Sequence, residues 1–133
     1  MIFEFTCNIN PPTKNIQRYL GSGKRRFKNK SYFQPWDLIE SLMYQKRFDV
    51  NKATFDYLQP LKRAELQKTV TKENVILSLW NGFHRQDASN ILTEMQDRLQ
   101  GIAYMNDRQV KECHIYKDDD CKVEYFKVIV ELQ

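Results

Sequence analysis

No stretch of this 133-residue sequence is apolar for anything near the roughly 18 residues that a membrane helix needs. Glycine and proline number four each, which leaves little room for linkers. The three cysteines, Cys7, Cys113 and Cys121, form no CxxC pair. That spacing gives neither a disulfide framework nor a cysteine zinc site. They are expected to be small buried or half-buried hydrophobes, reduced in a cytosolic compartment. The start, Met1-Ile2-Phe3-Glu4-Phe5-Thr6-Cys7, lacks the basic opening of a secretory signal, so a soluble cytoplasmic protein is expected. There is no glycine-rich phosphate loop and no recognisable serine, cysteine or lysine nucleophile motif. His84 and His114 lack metal-ligand spacing and read as surface or half-buried histidines.

What is present suffices for one packed domain over residues 1–133. Hydrophobic residues make up 41% and aromatics 13% of the chain. The net charge of +4 is unevenly spread. Lys14, Arg18, Lys24, Arg25, Arg26, Lys28 and Lys30 fall in one segment that has no acidic residue. Seven of the 21 lysines and arginines sit there, leaving 14 against 17 acidic residues elsewhere, a net of −3. A basic segment beside a mildly acidic body suits a polyanionic partner. Tyr19, Phe27, Tyr32 and Phe33 are interleaved with these charges and offer stacking surfaces for bases.

Residues 2–9 alternate as a strand, ended by Pro11-Pro12. Residues 13–31 read as a long mobile surface loop around Gly21-Ser22-Gly23. Pro35-Trp36-Asp37-Leu38 reads as a helix start with proline in the first turn. A second helical stretch over about 52–66 is broken at Pro60. Residues 74–83 read as a largely buried strand, and the helix from Asp87 to Gly101 follows. Residues 109–116 and 122–132 read as strands joined through Asp118-Asp119-Asp120 into a hairpin. The class is α+β, a small mixed sheet packed with helices.

At 100° per residue, Ile91, Leu92, Met95, Leu99 and Ile102 share a core-facing sector about 100° wide. Asp87, Asn90, Glu94 and Asp97 form a polar stripe on another face, and Asp107 follows just before a strand. Carboxylates held together repel unless a hard cation bridges them, and Mg²⁺ commonly sits between carboxylates and phosphates. An acidic helix with a basic loop therefore permits a metal-dependent nuclease. Its ordinary alternatives are a solvated acidic face, with Asp87 or Ser89 as a helix cap.

The run from Arg85 to Ile102, then Tyr104-Met105-Asn106-Asp107-Arg108-Gln109-Val110, resembles the RusA family of Holliday junction resolvases. That family carries D-x-D-N-(L/I)-x-K-x-x-x-D-x-L-x-G and then (D/N)-D-x-Q-(V/I). Asp87, Asn90, Ile91, Asp97, Leu99, Gly101, Asn106, Asp107, Gln109 and Val110 fit, and Asn10-Pro11-Pro12-Thr13-Lys14-Asn15 is similar to the family's turn ahead of its basic loop. The resemblance implies a homodimeric, RusA-like endonuclease, typical of bacteriophages and prophages and so at work in a bacterial host cell. It would cut four-way or other branched DNA with Mg²⁺ or Mn²⁺, in recombination and repair.

By the same resemblance, Asp87 and Asp107 are the metal-binding carboxylates, and Asp97 supports them. Lys14, Arg18, Lys24, Arg25, Arg26, Lys28 and Lys30 hold phosphates, with Arg85 adding a contact. Two positions depart from the pattern: Ser89 replaces the second aspartate and Thr93 the helix lysine. Serine brings no charge, and threonine cannot act as an ammonium. Either Glu94 supplies the missing carboxylate of a variant catalytic site, or the chain is a junction-binding protein impaired in cleavage. A third class is an interaction factor whose basic segment binds an acidic protein.

Overall fold

The computed structural model describes residues 1–12, 18–58 and 60–133. It is a mixed α+β fold, as the class reading expects. Its main sheet contains β1 (Phe3–Cys7), β4 (Val75–Asn81), β5 (Val110–Lys117) and β6 (Phe126–Leu132), in the order β1-β6-β4-β5. A second, two-stranded sheet is the hairpin of β2 (Tyr19–Leu20) and β3 (Phe27–Lys28). The helices are α1 (Lys30–Phe48), α2 (Lys52–Tyr57), α3 (Pro60–Gln67) and α4 (Ala88–Arg98).

The period of two in β1 and β6 sends Phe3, Phe5 and Cys7 and then Phe126, Val128 and Val130 to one face, where they pair across the ladder. In β4, Val75, Leu77 and Leu79 reach 0% exposure on that face and Ser78 is buried on the other. A strand this buried belongs inside the sheet. It pairs antiparallel with β6 and parallel with β5. The expected β5–β6 hairpin is therefore wrong: β4 lies between them, and residues 118–125 cross its end. That crossing is held by Asp118 N donating to Asn81 O at 2.9 Å and Gly82 N donating to Tyr125 O at 2.7 Å.

Helix α1 packs on β1, and α4 on β4 and β5. Tyr32, Trp36, Ile39, Met43 and Tyr44 form the buried stripe of α1. Its start corrects the reading at Pro35. Asn29 caps the helix by accepting from Ser31 N, so Pro35 lies inside, one turn later. Pro60 does separate two helices, α2 and α3. The segment read as one long loop contains the β2–β3 hairpin, turned through a short 3-10 stretch at Gly23–Arg25. Gly21 has φ +80, and a Cβ there would meet Arg25 O at 2.4 Å, so only glycine permits this turn.

Helix α4 buries Ile91 and Met95, with Leu99 at its C-cap and Ile102 beyond, while Leu92 is half-buried. Asp87 is its N-cap, and past the helix end Gly101 takes φ +80.

Candidate nucleic-acid interface and carboxylate positions

The hairpin gathers the basic residues into an arm. Lys24, Arg25, Arg26, Lys28 and Lys30 are all exposed. The Arg26 guanidinium lies 4.3 Å over the Tyr19 ring, and Lys28 Nζ is 5.1 Å from the Phe33 ring. Tyr19 also meets Phe33 edge-on at 5.8 Å. Phe27 remains 58% exposed. The arm thus presents cations and bare aromatic surface together. Arg85 is exposed in the turn before α4. Lys14 lies outside the described residues.

Arg18 has another role. Its Nε donates to Tyr32 Oη at 3.0 Å, and its terminal nitrogen lies 3.3 Å from Glu94 Oε2. Tyr32 Oη donates to the same Glu94 oxygen at 2.9 Å. The other oxygen, Oε1, accepts from Arg98 Nε at 3.0 Å. Arg98 reaches on to Asp37 at 2.6 Å and Glu40 at 3.4 Å. Glu94 is only 6% exposed, so the polar-stripe residue proposed as a spare metal carboxylate is a buried anchor with both oxygens engaged.

Burial raises the Tyr32 phenol pKa above its ordinary value, and the Glu94 hydrogen bond raises it further. Burial also raises Glu40, more than Arg98 lowers it. Arg98 is pulled down by burial, but hydrogen bonds to Asp37 and Glu94 outweigh that and hold it above its usual value. The Glu94–Arg98 part of this network was legible as an i,i+4 pair. Asp37, Glu40 and Tyr32 gave no local signal.

Asp87 and Asp107, expected to share a metal, lie at opposite ends of the β4–β5 layer. The Asp107 carbonyl accepts from Val110 N, and Val110 pairs with Val75 at the start of β4. Asp87 follows Gln86, whose carbonyl accepts from Asn81 at the end of β4 at 3.1 Å. The seven residues of β4 span about 20 Å between those ends. Parallel pairing of β4 with β5 causes this: one strand begins where Asp107 sits, and the other ends where Asp87 sits.

Asp87 Oδ1 accepts from Ser89 N at 3.0 Å and from Ser89 Oγ at 2.7 Å. Thr93 Oγ1 donates to the Ser89 carbonyl at 2.9 Å. The two departures from the family pattern thus fold back on the helix.

Asp97 and Asp107, both exposed, do share an end. The buried Tyr104 phenol is driven far above its usual value first by burial and then by the charges of Asp107 and Asp97. Among the described residues, no three His, Cys, Asp or Glu side chains gather as a metal site.

His84 Nε2 lies 3.4 Å from Cys121 Sγ, but burial and the Asp118 charge push that thiol up, opposite to an activated nucleophile. Cys7 is buried and Cys121 half-buried as expected, whereas Cys113 is exposed on β5. Asp118 accepts from Tyr125 Oη at 2.6 Å, so this residue of the expected solvated turn has a partner. At the head of α4, Gln86 Nε2 donates to Asn10 Oδ1 at 2.9 Å and to the Pro11 carbonyl, tying the N-terminal turn to this helix. No helix is long and apolar enough to cross a membrane, among the described residues. Compared with known proteins, the chain matches no family model and no curated protein.

Proposed function

We propose that the protein binds branched DNA, with the basic arm on the phosphates, as its resemblance to RusA-type resolvases implies. The supporting observation is the arm itself: Lys24, Arg25, Arg26 and Lys28 lie exposed beside Tyr19 and Phe27 on a short hairpin fastened to α4. Phosphates release counterions when lysine and arginine neutralise them, so affinity should fall steeply with salt. The test is a labelled four-way junction titrated at several salt concentrations. Replacing Arg25, Arg26 and Lys28 with alanine should flatten the log-log salt slope by about 3, roughly 0.9 per lost contact. Failure of the wild type to bind any DNA at low salt overturns this reading and favours an acidic protein partner.

A second reading adds metal-dependent phosphodiester cleavage. Its support is Asp97 and Asp107, two exposed carboxylates whose charges both act on Tyr104. Mg²⁺ or Mn²⁺ often uses one or two carboxylates and completes its shell with water and phosphate oxygens. A homodimer belongs to this reading, because a four-way junction offers two symmetry-related strands. It also gives Asp87 a role, since the two ends of β4 that are separate in one chain could meet across two.

Nicking of the junction with Mg²⁺ or Mn²⁺, abolished by Asp107→Asn, supports cleavage. Restored nicking on mixing Asp87→Asn with Asp107→Asn protein supports a shared site. Binding without nicks leaves the first reading alone, and Ser89→Asp with Thr93→Lys then asks whether the scaffold can still cut.

A further inference from the structure

We infer that Glu94 is a positioning residue for the basic arm, an inference that rests on the DNA-binding reading for its purpose but not for its geometry. Arg18 is the pivot. Its carbonyl accepts from Asn29 N at 2.8 Å, closing the base of the hairpin. Its side chain reaches inward to Glu94 and Tyr32. One residue therefore ends the arm and fastens it to the body.

The charges around Glu94 suit this work. Arg98 holds one carboxylate oxygen, and Asp37 and Glu40 in turn engage Arg98. The second oxygen faces Arg18 and the Tyr32 hydroxyl. Arg98 thus fixes the carboxylate, and its own charge is met from the α1 side. The negative charge left over is met by the arm. Burial of Glu94 at the meeting of α1, α4 and the hairpin makes the arm's direction a property of the core. Lys24, Arg25, Arg26 and Lys28 are then presented from one orientation, and binding does not have to order them.

Glu94→Gln separates positioning from charge. It makes the protein more positive, so electrostatics alone predicts tighter DNA binding. Loss of positioning predicts the opposite: junction affinity falls on the order of tenfold, the size of a coupling between contacting residues. Trypsin cleavage after Arg25 and Arg26, followed by mass, should quicken in the same variant without any DNA present. Arg18→Met should quicken it equally, and the double variant should be no faster than either single one. Arg18→Lys keeps a cation for Glu94 and should restore most of the protection.

Should Glu94→Gln fail to fold, the Arg18→Met and Arg18→Lys pair decides by proteolysis, since that side chain is 53% exposed and tolerates exchange. Equal or tighter junction binding by a folded Glu94→Gln protein, or unchanged arm cleavage in Arg18→Met, overturns the inference. Faster arm cleavage in the variants together with no DNA binding by the wild type upholds the anchoring and overturns the DNA-binding reading.

Discussion

Glu94 and Asp97 stand three residues apart on one helix and lie in opposite surroundings. Glu94 is buried and surrounded by Arg18, Tyr32 and Arg98, while Asp97 is exposed. The difference comes from what packs on each side. At Glu94, α1 and the base of the arm close over α4; at Asp97 nothing shields the carboxylate from water. A carboxylate in the first setting serves the fold, and in the second it can serve a cation or a partner.

The largest expected effect tests that contrast directly. Glu94→Ala takes the acceptor from the Tyr32 O–H, which keeps only the bond it accepts from Arg18, and removes one of three carboxylates around Arg98, whose side chain is 12% exposed. Breaking a buried pair costs about 3–5 kcal/mol; Arg98 keeps Asp37 and Glu40, so about 2–3 kcal/mol is expected here. Asp97→Ala should stay within about 0.5 kcal/mol, as a surface change does. Urea unfolding of both variants measures this. Similar losses at the two positions would break the comparison.

A middle effect is expected at Asp87, which is exposed yet holds the first turn through Ser89. Asp87→Ala should cost about 1 kcal/mol, the usual loss of an N-cap, and Asp87→Asn much less. If both cost the same, the charge of Asp87 matters more to the fold than its capping oxygen.

The same contrast explains what the sequence could reveal. Local regularities were legible: the Ile91, Met95, Leu99 stripe, the closing glycine at 101, the break at Pro60, and the buried run of β4. Each depends on neighbours within a turn or two. The α1 start was not legible, because Asn29 is a cap in a segment dominated by charge and glycine, whereas Pro35 looked like the stronger start signal.

The place of β6 was not legible either. Adjacent strands favour a hairpin, but β4 is buried enough to require a partner on both sides, and this long-range demand prevailed. Glu94 fell on the polar stripe by its angle, yet its partner Arg18 is 76 residues away and Tyr32 is 62 away. The spacing from Asp87 to Asp107 resembled a family motif, and a motif does not encode that parallel pairing puts one aspartate before the start of β5 and the other after the end of β4.

Asp118 offers a third setting between these two, and the smallest effect. It is half-buried and engaged by one phenol, with Tyr125 Oη donating to Oδ2 at 2.6 Å. That hydrogen bond, and then burial, push the Tyr125 phenol from 10.0 up to about 12. A folded-state value above the unfolded one favours the neutral phenol. The stabilisation is therefore complete below pH 10 and is lost as pH rises through about 12. Tyr125→Phe keeps the ring packed against Gly82 and deletes only the donor. It should lower stability at pH 8 by about 0.5 kcal/mol, the low end for a hydrogen bond, since water reaches this pair. It should also flatten the fall in melting temperature between pH 10 and pH 12. The buried phenols of Tyr32, Tyr44 and Tyr104 are raised too and titrate with the same sign, so the wild-type and variant curves must be subtracted to isolate Tyr125. A difference near zero at pH 8 and unchanged across that interval would show that the Asp118 contact contributes nothing, and would place Asp118 with the exposed carboxylates.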